Sequence, residues 1–246
     1  RFARNIEQAL WDMWNQWDPP STPKGMRKLQ KESTQNKSVE AKRSDSTQDQ
    51  KRRAQKIHPI PSGQASAQEQ IDALISLYNQ GQFEEIVTQT TALLKQFPQA
   101  IILHNIQGAA NAGLQLFDAA IENYQLALLI NPDYVEALNN LGVALKNKGD
   151  LAAAIKTFNR ALQIKPDHAE VHNNLGTALK QEGHLIAAIE SYNRAIETNR
   201  DHAEAHNNLS NALLENGDTI GAIESCNRSI EIKPNYAEAH NSLGNA

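Results

Sequence analysis

Apolar residues recur at helical spacing at the start of the chain, vanish for some forty positions, and then return in a periodic array. Phe2, Ile6, Leu10, Met13, Trp14 and Trp17 fall on one face at i+3/i+4 spacing, and Pro19-Pro20 ends the run. This predicts an amphipathic helix within residues 1–20, and it holds all three tryptophans of the chain. Residues 21–66 are rich in Ser, Thr, Gln and Lys, with almost no large apolar side chain between 30 and 56. Such a segment cannot bury enough surface to offset chain entropy, so a flexible basic linker is predicted there.

From residue 67 onward the pattern repeats. The boxes "NPDY", "KPDH", "NRDH" and "KPNY" set Pro132, Pro166, Arg200 and Pro234 34 residues apart, and Pro98 stands one period earlier. Cutting after each box gives units 67–100, 101–134, 135–168, 169–202 and 203–236, with a partial unit 237–246. Each full unit predicts two antiparallel helices. Gly at position 8 and Ala at position 20 remove bulk where the helices cross. Leu at 7 and 11, Ile at 21 and an aromatic at 24 fill the space between neighbours. Gly149, Gly183 and Gly217 predict the turn inside each unit. Asp133/Glu136, Asp167/Glu170 and Asp201/Glu204 have the D-x-x-E spacing of a capping box that would start each first helix.

Two units depart from the pattern. In 67–100, positions 8 and 20 are Leu74 and Ile86, which predicts a wider helix spacing. In 203–236, Ser210 replaces Gly and Cys226 takes the aromatic position, where it reads as a small buried core residue.

This pattern resembles the tetratricopeptide repeat. Its positions fall on Leu141, Gly142, Ala154, Phe158, Ala161 and Pro166, then on Leu175, Gly176, Ala188, Tyr192 and Ala195. The resemblance implies an all-α fold, a right-handed superhelical solenoid of helix-turn-helix repeats. Arrays of this kind bury each unit on its neighbours and present a concave surface. First-helix positions 2, 5, 6, 9, 12 and 13 are expected to line it. Position 6 holds Asn140, Asn174 and Asn208, and position 12 holds Lys146 and Lys180. An amide carries both donors and an acceptor, so this row can pair with the backbone of an extended peptide. These five residues are the candidate peptide-binding site. The expected role is a scaffold for a protein or peptide partner.

The "NNLG" tandems further resemble the repeat arm of O-GlcNAc transferases, whose asparagine ladder grips substrate peptides. That resemblance implies the same role for Asn140, Asn174 and Asn208, although the row breaks at Ile106 and Ser242. "FARNIEQALWDMWNQW" likewise resembles the closing helix of such transferase domains, through Arg4, Glu7, Met13, Trp14 and Trp17. The alternative to a free-standing scaffold is therefore the substrate-recruiting arm of a glycosyltransferase-like enzyme. Its covalently linked catalytic domain would lie beyond these residues. The chain begins with Arg and ends inside a first helix, so it reads as a window on a longer protein, and Met26 offers a second starting point.

No catalytic constellation, phosphate loop or cysteine cluster is present in the sequence, and neither a cofactor nor a metal is expected. His168/His172 and His202/His206 have i,i+4 spacing but recur with the repeat, as do His104 and His240, and they read as structural. Arg160, Arg194 and Arg228 align on the second helices and read as a solvated outer face. Residues 1–66 hold 13 Lys+Arg and 7 Asp+Glu, a net of +6. Residues 67–246 hold 11 and 21, a net of −10, which together give the chain's −4. The basic segment reads as a solvated linker, so nucleic acid is not an expected partner. No run reaches the roughly 18 apolar residues of a membrane span. A single cysteine and no signal sequence predict a reducing, cytoplasmic setting.

Overall fold

A computed structural model describes residues 67–246, all of whose regular elements are α-helices. The predicted amphipathic helix and basic linker of residues 1–66 lie outside the described residues. The helices are α1 (Ala67–Asn79), α2 (Phe83–Gln96), α3 (Ile101–Gly113), α4 (Phe117–Ile130), α5 (Val135–Lys148) and α6 (Leu151–Ile164). They continue as α7 (Ala169–Gln181), α8 (Leu185–Thr198), α9 (Ala203–Glu215), α10 (Thr219–Ile232) and α11 (Ala237–Asn245). Odd-numbered helices are the first helices of the repeats and even-numbered ones the second. The compact unit runs from Leu74 to Ala246.

From α2 onward every helix packs on the next in sequence. First helices also touch the first helix of the following repeat, as α3 does α5 and α7 does α9, and no two second helices approach as closely among the described residues. Stacking therefore closes toward the first helices. They form the concave wall and the second helices the outer one.

The turn inside each repeat is built as the glycines predicted. Gly81, Gly149, Gly183 and Gly217 have φ of +73°, +95°, +91° and +87°, in the left-handed region open to a residue without Cβ. In the second repeat Gln115 occupies that place with φ +62°. The backbone bonds are the same in both cases. Asp150 N–H donates to Leu145 O at 2.9 Å, and Leu116 N–H donates to Asn111 O at 2.9 Å.

The capping boxes are not where the sequence suggested. The N-cap residues of α5, α7 and α9 are Tyr134, His168 and His202, one place after the aspartates. Asp133 and Asp201 instead turn back locally, each donating its N–H to the side chain of Asn131 or Asn199 at 3.1 Å. The short polar side chains that do cap helices sit at second-helix starts. Asp150 accepts from Ala153 N at 3.1 Å, and Asp218 from Gly221 N at 2.9 Å.

Each repeat's core is a contact between position 8 and position 24. A methyl group added to Gly108, Gly142 or Gly176 would lie 2.6, 2.5 or 2.7 Å from the ring of Tyr124, Phe158 or Tyr192. The glycine is therefore a flat seat for the aromatic ring. Where the sequence departs at position 8, position 24 changes with it. The fifth repeat pairs Ser210 with Cys226, and the first pairs Leu74 with Thr90; all four are buried. The Cys226 thiol is wholly enclosed, donates to Ala239 O at 2.8 Å, and is pushed up in pKa by burial. It is a core residue, as its position suggested.

Candidate functional site

At about 100° per residue, positions 2 and 9 of a first helix point to the middle of the concave face. Positions 5 and 12 turn toward the following repeat, and positions 6 and 13 toward the preceding one. Side chains at 5 and 6 therefore meet across each seam between first helices.

They meet through amides. Asn140 Nδ2 donates to Asn105 Oδ1 at 3.1 Å, Asn174 to Asn139 at 3.0 Å, and Asn208 to Asn173 at 2.9 Å. In the last seam Ser242 Oγ donates to Asn207 Oδ1 at 2.9 Å. All four bonds span 35 residues, one repeat plus one position. The candidate asparagines thus spend one donor holding adjacent repeats in register. Asn174 is 9% exposed, while Asn140 and Asn208 are half-buried. Each amide keeps its Oδ1 and a second N–H beyond the seam bond, so the row can still address a ligand.

The position-5 asparagines were the residues that sequence reasoning passed over. Their signal was available: position 5 is Asn in every unit from Asn105 to Asn241, a longer run than position 6 shows. Ser242, which looked like a break in the row, makes the same seam bond with a hydroxyl.

A second seam lies two turns further along. Lys180, at position 12, pairs with Glu215, at position 13 of the next repeat, at 3.1 Å, again 35 residues apart. Lys146 stands one repeat earlier on α5 and makes no ion pair among the described residues. It is half-buried, and burial lowers its pKa, partly offset by the charge of Glu204. Glu204 belongs to α9, two first helices away, so the two charges sense each other across α7 along the concave wall. Glu204 also receives Asn173 Nδ2 at 3.4 Å. Thr177, at the central position 9, receives the Tyr192 hydroxyl at 3.4 Å. Asn140, Asn174, Asn208, Lys146 and Lys180 all lie on this one wall, which from α5 to α9 is mostly polar, with Val143 and Leu214 the apolar exceptions at positions 9 and 12. On α3 the corresponding positions 2 and 6 are Ile102 and Ile106, both buried.

The histidines serve the fold. The Nε2 atoms of His104, His172, His206 and His240 lie 2.8–3.0 Å from the carbonyl oxygen six residues earlier, on Pro98, Pro166, Arg200 and Pro234. An N–H donated there pins the inter-repeat turn to the next first helix. Leu138 fills the same place in the third repeat. His202 is 4% exposed; its Nδ1 accepts from Ala205 N at 3.2 Å and its Nε2 lies 3.4 Å from Glu170. On the outer wall, Arg160 donates to Pro132 O at 2.7 Å and Arg228 to Asp201 at 3.0 Å. These exposed arginines tie second helices to neighbouring turns.

Helix hairpins stacked at a 34-residue period, with glycine seats and a polar concave wall, define an α-helical repeat solenoid. Family models of the tetratricopeptide repeat match residues 133–201 and 173–245, and a TPR repeat model matches 114–149. The chain carries tetratricopeptide repeats across these residues, in the right-handed superhelical arrangement of that fold. Among solved structures, TTC0263, a thermophilic TPR protein of Thermus thermophilus, aligns with TM-score 0.62 and 22% identity over 72% of this chain and 97% of that one. Residues 41 to the end of MamA from Desulfovibrio magneticus RS-1 align with TM-score 0.59 and 17% identity over 69% and 96%. YrrB, described as a TPR protein with an unusual peptide-binding site, aligns with TM-score 0.55 and 19% identity over 71% and 90%. At these identities the likeness establishes the fold. No curated protein matches the sequence.

Proposed function

We propose that residues 67–246 are an interaction scaffold that holds an extended peptide or protein segment along the concave wall. One observation carries this reading. From α5 to α9 each first helix brings an amide pair to the wall, and α5 and α7 each add an ammonium group, with hydrogen-bonding capacity that the fold uses only in part. Asn140, Asn174 and Asn208 each offer an acceptor and a donor beyond their seam bonds, which suits a peptide backbone and leaves side-chain choice open. Lys146 and Lys180 add charge at one edge. The unusual peptide-binding site ascribed to YrrB, on the same fold, is consistent with this use. Among the described residues no helix is long and apolar enough to cross a membrane. A single buried thiol fits the reducing, cytoplasmic setting that we assign to it.

The reading of this chain as the substrate-recruiting arm of a glycosyltransferase rests on residues 2–17 and on the asparagine row. Nothing in the geometry of residues 67–246 favours it over a free-standing scaffold.

The test is selection of linear peptides from a displayed random library on the full chain, followed by hydrogen-exchange footprinting of the selected peptides. Protection confined to α5, α7 and α9 is the expected result. Failure to select any binder, or protection confined to α6, α8 and α10, refutes the proposal.

A further inference from the structure

The two lysines of the wall are equivalent by repeat but not by environment. Four seam bonds and the Lys180–Glu215 pair all join residues 35 apart. That register sets Gln181 opposite Lys146, where Lys180 has Glu215. A neutral amide stands where the neighbouring seam has a carboxylate. Lys146 is therefore a half-buried ammonium group that makes no ion pair among the described residues and that only the charge of Glu204, two first helices away, compensates in part. Removing a cation from water without a partner is unfavourable, so a carboxylate arriving with a ligand recovers interaction that the free protein lacks.

Resting on the scaffold reading above, we infer that Lys146 is the subsite that selects the ligand: it receives the side-chain carboxylate of an Asp or Glu within the bound extended segment. The acid is internal to the segment, because first helices continue the wall on both sides of α5, to α3 before it and to α7 and α9 after it. A chain lying along the wall passes Lys146 and does not end there. Burial lowers the lysine's pKa by more than the charge of Glu204 restores, which agrees with this.

The test uses peptides selected on the full chain as above. Each is resynthesised with an amidated C-terminus and, separately, with every Asp and Glu replaced by Asn and Gln. Selected peptides are expected to be rich in Asp and Glu, and the amide replacement is expected to weaken binding about tenfold, the order of one charge-assisted hydrogen bond. Lys146→Gln should abolish that preference. Gln181→Glu, which supplies the missing internal carboxylate, should reduce it, and Glu215→Gln, which releases Lys180, should enlarge it. The exposed outer-wall variant Lys156→Gln should leave it intact. A purely structural Lys146 would move stability but not these opposite shifts in acid preference. Peptides that bind equally well in acid and amide form overturn the inference while leaving the scaffold standing. Binding lost on C-terminal amidation also overturns it, and failure to select any peptide overturns both.

Discussion

The glycine seat gives a prediction whose size follows from the structure. In Gly142→Ala the new Cβ would stand 2.5 Å from Cε1 of Phe158. Ordinary carbon–carbon contact is about 3.5–4.0 Å, so ring and helix must separate by roughly 1 Å. The ring has little room to yield, since Phe158, Ala154 and Ala161 are all fully buried. Overpacking of this kind costs about 1–3 kcal/mol, while exchanging Gly for Ala in a helix interior returns about 1 kcal/mol. The expected net loss, at the middle of these ranges, is about 1 kcal/mol. Urea titration followed by far-UV circular dichroism reads it as a lower midpoint. The control is Gly244→Ala, where a Cβ meets nothing within 4 Å and stability should hold or rise. The fifth repeat supplies a rescue. Gly142→Ser and Phe158→Cys together copy Ser210 and Cys226, and the double variant should lose at least about 0.5 kcal/mol less than the two single losses combined. A Gly142→Ala protein as stable as wild type, or a double variant that is simply additive, would refute the idea that positions 8 and 24 form one packing unit.

Two further outcomes follow from the same geometry. Gln115 holds the left-handed turn that glycine fills in the other repeats, a conformation costing a side-chain-bearing residue about 1 kcal/mol, so Gln115→Gly should raise the urea midpoint; a lower midpoint would contradict this. Burial lowers the pKa of His206 and of His168, so both favour the neutral form more in the folded chain than in the unfolded one. As pH falls below about 6.5 the unfolded chain therefore takes up protons first, and stability is lost as pH drops toward the folded values. The urea midpoint should be lower at pH 5.5 than at pH 7.5 and the gap smaller in His206→Gln; a flat profile, or an unchanged gap in that variant, would refute it.

Much of the fold was legible because repetition makes each position its own control. A 34-residue period with Gly at 8, Ala at 20 and an aromatic at 24 points to two helices and their crossing, since small residues at 8 and 20 make room where the aromatic ring packs. The turn glycines were legible for a similar reason: a backbone at positive φ excludes most residues. The start of each first helix was misread. D-x-x-E spacing predicts a cap from local hydrogen bonding alone, whereas the chain path between repeats moved the N-cap one residue on, to Tyr134 and His202.

The candidate wall was legible as a set of residues but not as a set of bonds. Sequence alone determined that Asn140, Asn174, Asn208, Lys146 and Lys180 share the first-helix face, because helical periodicity fixes direction around an axis. It could not say which atoms the fold consumes, because the partners lie on neighbouring helices, offset by a register that only stacking sets. That register, one repeat plus one position, turned the asparagine row into a seam against Asn105, Asn139 and Asn173. It also gave Lys180 a carboxylate in direct contact and left Lys146 only the distant charge of Glu204. The difference between two identical residues at one repeat position is therefore a property of the tertiary structure, decided by what the next helix brings to each.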